Sequence, residues 1–272
     1  MGSPVLEFSK VTLLFDEVVG LENVSFRLEA GDSLVILGVA GSGKSVLLKV
    51  ALGLYRPDAG HVYLFGEQID GMREKELHGL RRRVGMLFQE SALFDSLTVG
   101  ENVAYPLVNQ SGGAPDDPEG IESRVREALR FVELEGALEK LPSELSGGMR
   151  RRVGIARAIV NGPPLVLYDS PTAGLDPITA HTIMTLILKE RDASEVASVL
   201  VTHRLQNGHL LANFRYHPAS EELRPAPRDE DGRGSRTRFL VLRQGRLVFE
   251  GDQEDLNRQQ DSYLRNFGTL SR

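Results

Sequence analysis

At 272 residues the chain has room for one large domain or two small ones around a sizeable core, and 41% hydrophobic against 26% charged residues excludes the disordered and low-complexity classes. A formal net charge of −6 argues against nucleic acid as a partner, the lack of any cysteine excludes a disulfide framework and thiol chemistry, and no apolar run approaches the ~20 residues that span a bilayer. No signal peptide opens the chain, so a membrane role is expected to come through a partner.

In chain order, "LEFSKVTLLF" from Leu6 and "NVSFRLEA" from Asn23 alternate apolar and polar residues as strands do, with Val24, Phe26 and Leu28 on one face. "SLVIL", Ser33 to Leu37, is a continuous apolar run suited to a central strand. A glycine-rich loop follows, and then a helix with Val46, Leu47, Val50 and Leu54 at helical spacing.

That loop, "GVAGSGKS", satisfies G-x-x-x-x-G-K-[ST] in full, between a buried strand and a helix. Small residues let successive backbone N–H groups converge on a β-phosphate at the positive end of the helix. Lys44 neutralises charge on the β- and γ-phosphates, and the Ser45 hydroxyl is offered to Mg²⁺. The candidate nucleotide contacts are Gly38, Val39, Ala40, Gly41, Ser42, Gly43, Lys44, Ser45 and Val46. The metal needs a second protein anchor, and Asp169, closing the apolar run "LVLYD", is the candidate.

"GHVYLFG" and "VGMLFQ" read as strands flanking a charged helix around Lys75 to Arg83. The middle of the chain turns helical in "TVGENVAYPL", "IESRVREALRFVEL" and "GGMRRRVGIARAIV", with "NQSGGAPDDPEG" an exposed loop. The "RRR" runs at Arg81–Arg83 and Arg150–Arg152 read as solvated helix faces. From Leu165 the pattern is strand, helix, strand ("LVLYD", "ITAHTIMTLILKER", "ASVLVTH"), which implies an α/β fold on a parallel sheet with an inserted helical subdomain. After a short helix, "LQNGHLLANF", residues 217–236 are rich in proline, glycine and mixed charge and are expected to form a solvated, mobile insertion. "RFLVLRQGRLVFEG" then gives two strands around Gln244 and Gly245, and the chain ends in a polar helix near Asp255 to Phe267. Tyr263, Leu264 and Phe267 form a stripe expected to pack on its own domain.

"LSGGMRRRVGIARAIV", from Leu145, taken with the phosphate loop, Gln89 after "VGMLF", Asp169, and His203 in "VLVTH", resembles the nucleotide-binding domain of ATP-binding-cassette (ABC) proteins. The five motifs stand in the family's order. The resemblance implies a P-loop NTPase fold with a RecA-like parallel-sheet core, an N-terminal antiparallel β subdomain and a helical subdomain at about 90–160. That domain would occupy 1–253, followed by a helical extension at 254–272. By position, Phe15 would stack on adenine, with core packing as the alternative. Gln89 would contact Mg²⁺ and the attacking water, and His203 the γ-phosphate. Ser146, Gly147 and Gly148 would reach across a dimer to the γ-phosphate of a second subunit, and Asp176 would couple the two sites. ATP and Mg²⁺ are the implied cofactors, and a membrane permease and a second cassette, most simply an identical one, the implied partners.

"FQESALFDSLTVGENVAYPL", Phe88 to Leu107, further resembles the ATPase subunits of Mla and other MCE-type lipid transporters. This implies an MCE-domain partner, lipid as cargo, and a peripheral position on the cytoplasmic face of the inner membrane. Another cassette system, for solute import or lipoprotein release, and a non-transport dimerisation switch stay open.

The chain departs from the family pattern at Ser170, where a glutamate polarises the attacking water. A serine hydroxyl orients water but does not act as a base near neutral pH, and general-base assistance is worth about 10²–10⁴-fold, so slow hydrolysis is expected. Three readings stay open: a native variant in which Gln89 and His203 position water while the γ-phosphate takes its proton, a degenerate member of a heterodimer, and a substitution made to block hydrolysis.

Overall fold

The computed structural model describes residues 4–109, 118–226 and 237–268. Its centre is a six-stranded sheet in the order β12-β11-β3-β8-β7-β6. These strands are β3 (Ser33–Leu37), β6 (Val84–Leu87), β7 (Leu165–Asp169), β8 (Ala197–Thr202), β11 (Thr237–Arg243) and β12 (Arg246–Gly251). All neighbours pair in parallel except β11 and β12, which form an antiparallel edge. Every residue of β3, β7 and β8 is buried, as continuous apolar runs in a doubly covered sheet require.

Successive side chains of a strand point to opposite faces, so each central strand feeds two cores. Val35, Leu37, Val166 and Tyr168 join one cluster with the helices, while Leu34, Ile36, Leu165 and Leu167 join the other. The second cluster is closed by an antiparallel sheet, β2-β1-β4-β5, of β1 (Leu6–Phe15), β2 (Val18–Leu28), β4 (Ala59–Leu64) and β5 (Glu67–Gln68). Val24, Phe26 and Leu28 bury on its inner face, as their alternation predicts.

Helix α1 (Lys44–Ala51) follows β3, and α2 (Glu74–Arg81) lies between β5 and β6. The first of these is shorter than its apolar spacing suggests. Gly53, at φ +64°, ends it in a left-handed turn with Gly53 N–H donating to Val50 O (2.9 Å) and Leu54 N–H to Lys49 O (2.8 Å). Leu54 is therefore 48% exposed beyond the helix, and Leu48 takes its place in the core.

The helical subdomain comprises α3 (Val99–Val108), α4 (Pro118–Phe131) and α5 (Gly147–Ile159), packed on one another. Thr98 and Glu101 close a capping box on α3, and the Ser146 hydroxyl accepts the Met149 N–H to cap α5. Asp176 caps α6 (Pro177–Ser194), accepting from the Ile178 and Thr179 N–H groups at 3.0 Å each, with proline in the first turn. Residues 110–117 of the expected central loop lie outside the described residues, and its Pro118–Gly120 end already belongs to α4.

The first part of the expected insertion, residues 217–226, carries one arm of a hairpin. After α7 (Leu205–Asn213), β9 (Phe214–His217) and β10 (Glu222–Pro225) pair as an antiparallel hairpin. The reason is non-local: Asp192 of α6 accepts from Arg191, from Arg215 at 2.7 Å and from the Tyr216 N–H at 2.7 Å, and the Arg191 guanidinium donates to Leu211 O and Phe214 O. Residues 227–236 of that expectation lie outside the described residues. The expected terminal helix is two short ones, α8 (Gln253–Asn257) and α9 (Ser262–Gly268), capped separately by Asp252 and Asp261. Leu264 and Phe267 bury against the chain's own core.

Candidate nucleotide site

The phosphate loop leaves the C-terminal end of β3 and turns into α1 through two left-handed glycines, Gly41 at φ +76° and Gly43 at φ +103°. At Gly43 a Cβ would lie 2.6 Å from Gly20 O, so both the dihedral and the space demand glycine. No side chain caps α1 and no acidic residue stands in its first turn, so the positive end of the helix is open to an anion.

Lys44 is buried in the loop, with Nζ donating to Gly38 O (2.8 Å), Val39 O (2.7 Å) and Ser42 Oγ (3.2 Å). Burial pushes its ammonium below the ordinary lysine value, and the negative charge of Asp169 pulls it partly back. A cation held by neutral carbonyls beside uncapped amides suits a polyphosphate chain.

Asp169 ends β7, 7% exposed, and accepts the Ser170 hydroxyl at 3.2 Å. Asp169 and the Ser45 hydroxyl are the two oxygen donors that the sequence assigns to a metal. Among the described residues no group of three or more His, Cys, Asp or Glu could hold an ion by itself. One hydroxyl and one carboxylate oxygen fit Mg²⁺, a hard cation that takes few protein ligands, and the ion would there neutralise phosphate charge. Ser170 takes a left-handed conformation, φ +49°, with its N–H donating to Val201 O at 2.9 Å.

His203 follows β8 directly and is exposed. Partial burial, then the charges of Arg204 and Lys44, lower its pKa, which favours a neutral imidazole. Below it lies a buried hydroxyl–amide network: Asn207 Nδ2 donates to Thr172 Oγ1 (2.7 Å) and Thr202 Oγ1 (3.2 Å), and the Arg204 N–H to Thr202 Oγ1 (3.0 Å). Asn207 thus ties the loop carrying Ser170 and Asp176 to the loop carrying His203. The sequence singles out none of these three: Thr202 stands within "VLVTH", of which only His203 is a candidate, and Thr172 and Asn207 lie outside the motifs.

Phe15 sits at the end of β1, 37% exposed, edge-on to Tyr55 with ring centroids 5.2 Å apart. Its ring covers Gly20, where a Cβ would meet it at 2.8 Å, and Gly20 O in turn abuts Gly43. An exposed aromatic therefore stands one residue away from the phosphate loop.

Gln89 is exposed after β6. Its carbonyl accepts from Arg151 of α5, whose guanidinium also donates to Phe88 O (3.2 Å) and Ala173 O (3.3 Å). This corrects the reading of Arg150–Arg152 as a solvated face: Arg151 is 6% exposed, with Nε buried and unpartnered among the described residues. Burial lowers its pKa, opposed by the carboxylates of Asp169 and Glu90. Ser146 and Gly147 open α5 on an exposed edge, next to Leu175 and the Asp176 cap, and Gly148 lets α5 approach Thr179 of α6.

A family model described as "ABC transporter" matches residues 21–173. The intermembrane phospholipid transport system ATP-binding protein MlaF of Haemophilus influenzae is 34% identical, over 82% of this chain and 83% of that protein. The chain belongs to the ABC transporter family. It is an ABC cassette, of a family whose members bind ATP with Mg²⁺ and hydrolyse it. The methionine import ATP-binding protein MetN of Carboxydothermus hydrogenoformans is 42% identical over 70% of this chain, which spans only 55% of that relative's length. The chloroplastic protein TRIGALACTOSYLDIACYLGLYCEROL 3 of Arabidopsis thaliana is 34% identical over 98% of this chain and 74% of its own. Among solved ABC structures, the dimeric cassette MJ0796 in a post-hydrolysis state with ADP and phosphate superposes with a TM-score of 0.75 at 30% identity, covering 91% of this chain and 98% of that one. Among the described residues no helix is long and apolar enough to cross a membrane.

Proposed function

We propose that the chain is the ATP-hydrolysing subunit of a membrane transporter that moves phospholipid or another lipid through a cell envelope. The observation that carries this reading is how fully the chains align. The match to the phospholipid-system protein MlaF takes in 82% of this chain and 83% of that one, whereas the chain spans 55% of MetN. The match to TRIGALACTOSYLDIACYLGLYCEROL 3, over 98% of this chain, supports the same reading.

In this reading Phe15 stacks on adenine and the N–H groups of Gly38–Val46 with Lys44 hold the phosphates. Ser45, Asp169 and Gln89 hold Mg²⁺, which neutralises charge on the phosphate oxygens. His203 donates a hydrogen bond to the γ-phosphate. Ser146, Gly147 and Gly148 of a second, identical copy complete the site, so ATP closes the dimer, and Asp176 couples the two halves. Ser170 leaves the attacking water without a carboxylate base and slows turnover.

A groove of about 500 Å³ lies between α2, β6 and the helical subdomain, lined by Met86, Phe88, Phe94, Tyr105, Arg81 and Arg157. Its apolar floor with cationic edges suits an amphipathic segment of the permease on the cytoplasmic face of the inner membrane. An occupant would press on the segment that carries Gln89, held to α5 by Arg151. An MCE-domain protein is the remaining partner, and no nucleic acid takes part.

The higher identity to MetN, 42%, favours solute import as the second reading. Purification of the native complex from membranes, with subunit identification and lipid extraction, tests the choice. A polytopic permease, an MCE protein and bound lipid are expected; a complex with a solute-binding protein and no lipid would sink the lipid assignment.

A further inference from the structure

The last described helix reaches the phosphate loop through one side chain. The Tyr263 hydroxyl accepts the Val39 N–H at 3.3 Å, across 224 residues of sequence, and donates to Leu242 O at 2.7 Å. Lys44 Nζ donates to Val39 O at 2.7 Å. The Gly38–Val39 peptide is therefore held from both sides, by a C-terminal phenol on its N–H and by the phosphate-loop lysine on Gly38 O at 2.8 Å. Leu242 O, the other end of the phenol bridge, stands 2.7 Å from where a Gly38 Cβ would be, so the bridge ties the first turn of the loop to strand β11.

The ring is placed without help from its hydroxyl. It lies edge-on to Phe267 with centroids 5.4 Å apart, and the Arg243 guanidinium stands 5.1 Å over its centroid. Asp261 accepts the Tyr263 and Leu264 N–H groups, and Leu264 and Phe267 are buried. A rigidly seated phenol whose free end meets only loop and strand backbone is a device for setting the loop, since the ring packing accounts for anchoring α9.

We propose that Tyr263 is a positioning residue for the phosphate loop: its hydroxyl fixes the Gly38–Val39 peptide in the conformation that receives phosphate, so the C-terminal segment sets ATP affinity. The inference rests on the site's reading as an ATP site and not on the cargo. A loop that loses the bridge samples other peptide orientations when empty, and binding must then restore the productive one.

The test uses the full chain. Tyr263→Phe keeps the ring contacts and removes only the hydroxyl. The dissociation constant of Mg·ATP is expected to rise roughly 2- to 10-fold, the effect of one neutral hydrogen bond. KM should rise with it, while kcat at saturating ATP and the melting temperature without nucleotide stay at wild-type values. An unchanged dissociation constant, or a weakening matched by a fall in nucleotide-free melting temperature, overturns the positioning role. Lys44→Ala in parallel separates the two readings. If wild type itself binds no ATP, the site assignment fails; if wild type binds and Tyr263→Phe binds equally, only the role of Tyr263 fails.

Discussion

The Ser170 hydroxyl donates to Oδ1 of Asp169 at 3.2 Å, so in the proposed reading, where Asp169 holds the metal and Ser170 stands in place of a carboxylate base, the hydroxyl spends its proton on that aspartate. In that state it offers water a lone pair but not a base. The backbone does not forbid a carboxylate here: Ser170 sits at φ +49°, and Glu133, Glu195 and Glu221 take φ +58°, +49° and +53° elsewhere in the chain. Ser170→Glu is therefore expected to fold and to raise steady-state ATP turnover of the assembled complex by about 100-fold or more, the lower end of the range for general-base assistance. Equal turnover in wild type and variant, with single-turnover kinetics showing chemistry to be rate-limiting, would refute this.

Lys44 Nζ donates to three oxygens of the loop, Gly38 O, Val39 O and Ser42 Oγ, at 2.7–3.2 Å. Lys44→Ala removes a charge-assisted partner of the phosphates and the cross-brace between Gly38 and Val39 together. ATP binding, followed by calorimetry, is expected to weaken by at least ~100-fold, the scale of two charge-assisted hydrogen bonds. Binding within a few-fold of wild type would contradict the placement of the phosphates.

The parts of the fold visible in the sequence are those decided locally. The apolar runs within Ser33–Leu37 and Leu165–Asp169 become fully buried parallel strands, and Gly41 and Gly43 of the phosphate loop sit where the backbone turns left-handed. Gly53 carried a local stop signal for α1 that the apolar spacing of Leu54 obscured. What stayed hidden depends on distant chain. Arg151 looks like one of three solvated arginines and becomes buried because α5 lands on the carbonyls of Phe88 and Gln89, 63 and 62 residues away. The polar stretch around Tyr216 becomes a hairpin because Asp192 receives its backbone and Arg215. Tyr263 shows an apolar stripe in sequence, but nothing local says that its hydroxyl ends on Val39.

Asn207 is the hub between the Thr172 and Thr202 hydroxyls, all three at most 4% exposed. Asn207→Leu fills the same volume but leaves the Thr172 hydroxyl without its donor, at a cost of about 1–3 kcal/mol in stability. Because the bridge joins the loops of Ser170 and His203, kcat is expected to fall by an order of magnitude or more while ATP affinity, set by the phosphate loop, changes little. Denaturant unfolding and a kcat–Kd comparison check both parts; a variant with wild-type kcat would show that the two loops do not depend on the bridge.

His209 on α7 accepts at Nδ1 from Gln253 Nε2 (2.9 Å) and Asn213 Nδ2 (3.2 Å), which joins α7 to α8 through a neutral imidazole. Burial lowers its pKa below the ordinary histidine value of about 6.5. The unfolded chain then takes up the proton first as pH falls. The stability associated with neutral His209 is complete above about pH 6.5 and is lost between that value and the lower folded-state pKa. Urea midpoints measured from pH 8 to pH 5 should therefore fall on the acid side, more steeply for wild type than for His209→Gln, which keeps a side-chain acceptor and cannot titrate. Parallel midpoint curves for the two proteins would mean that the acid sensitivity lies elsewhere.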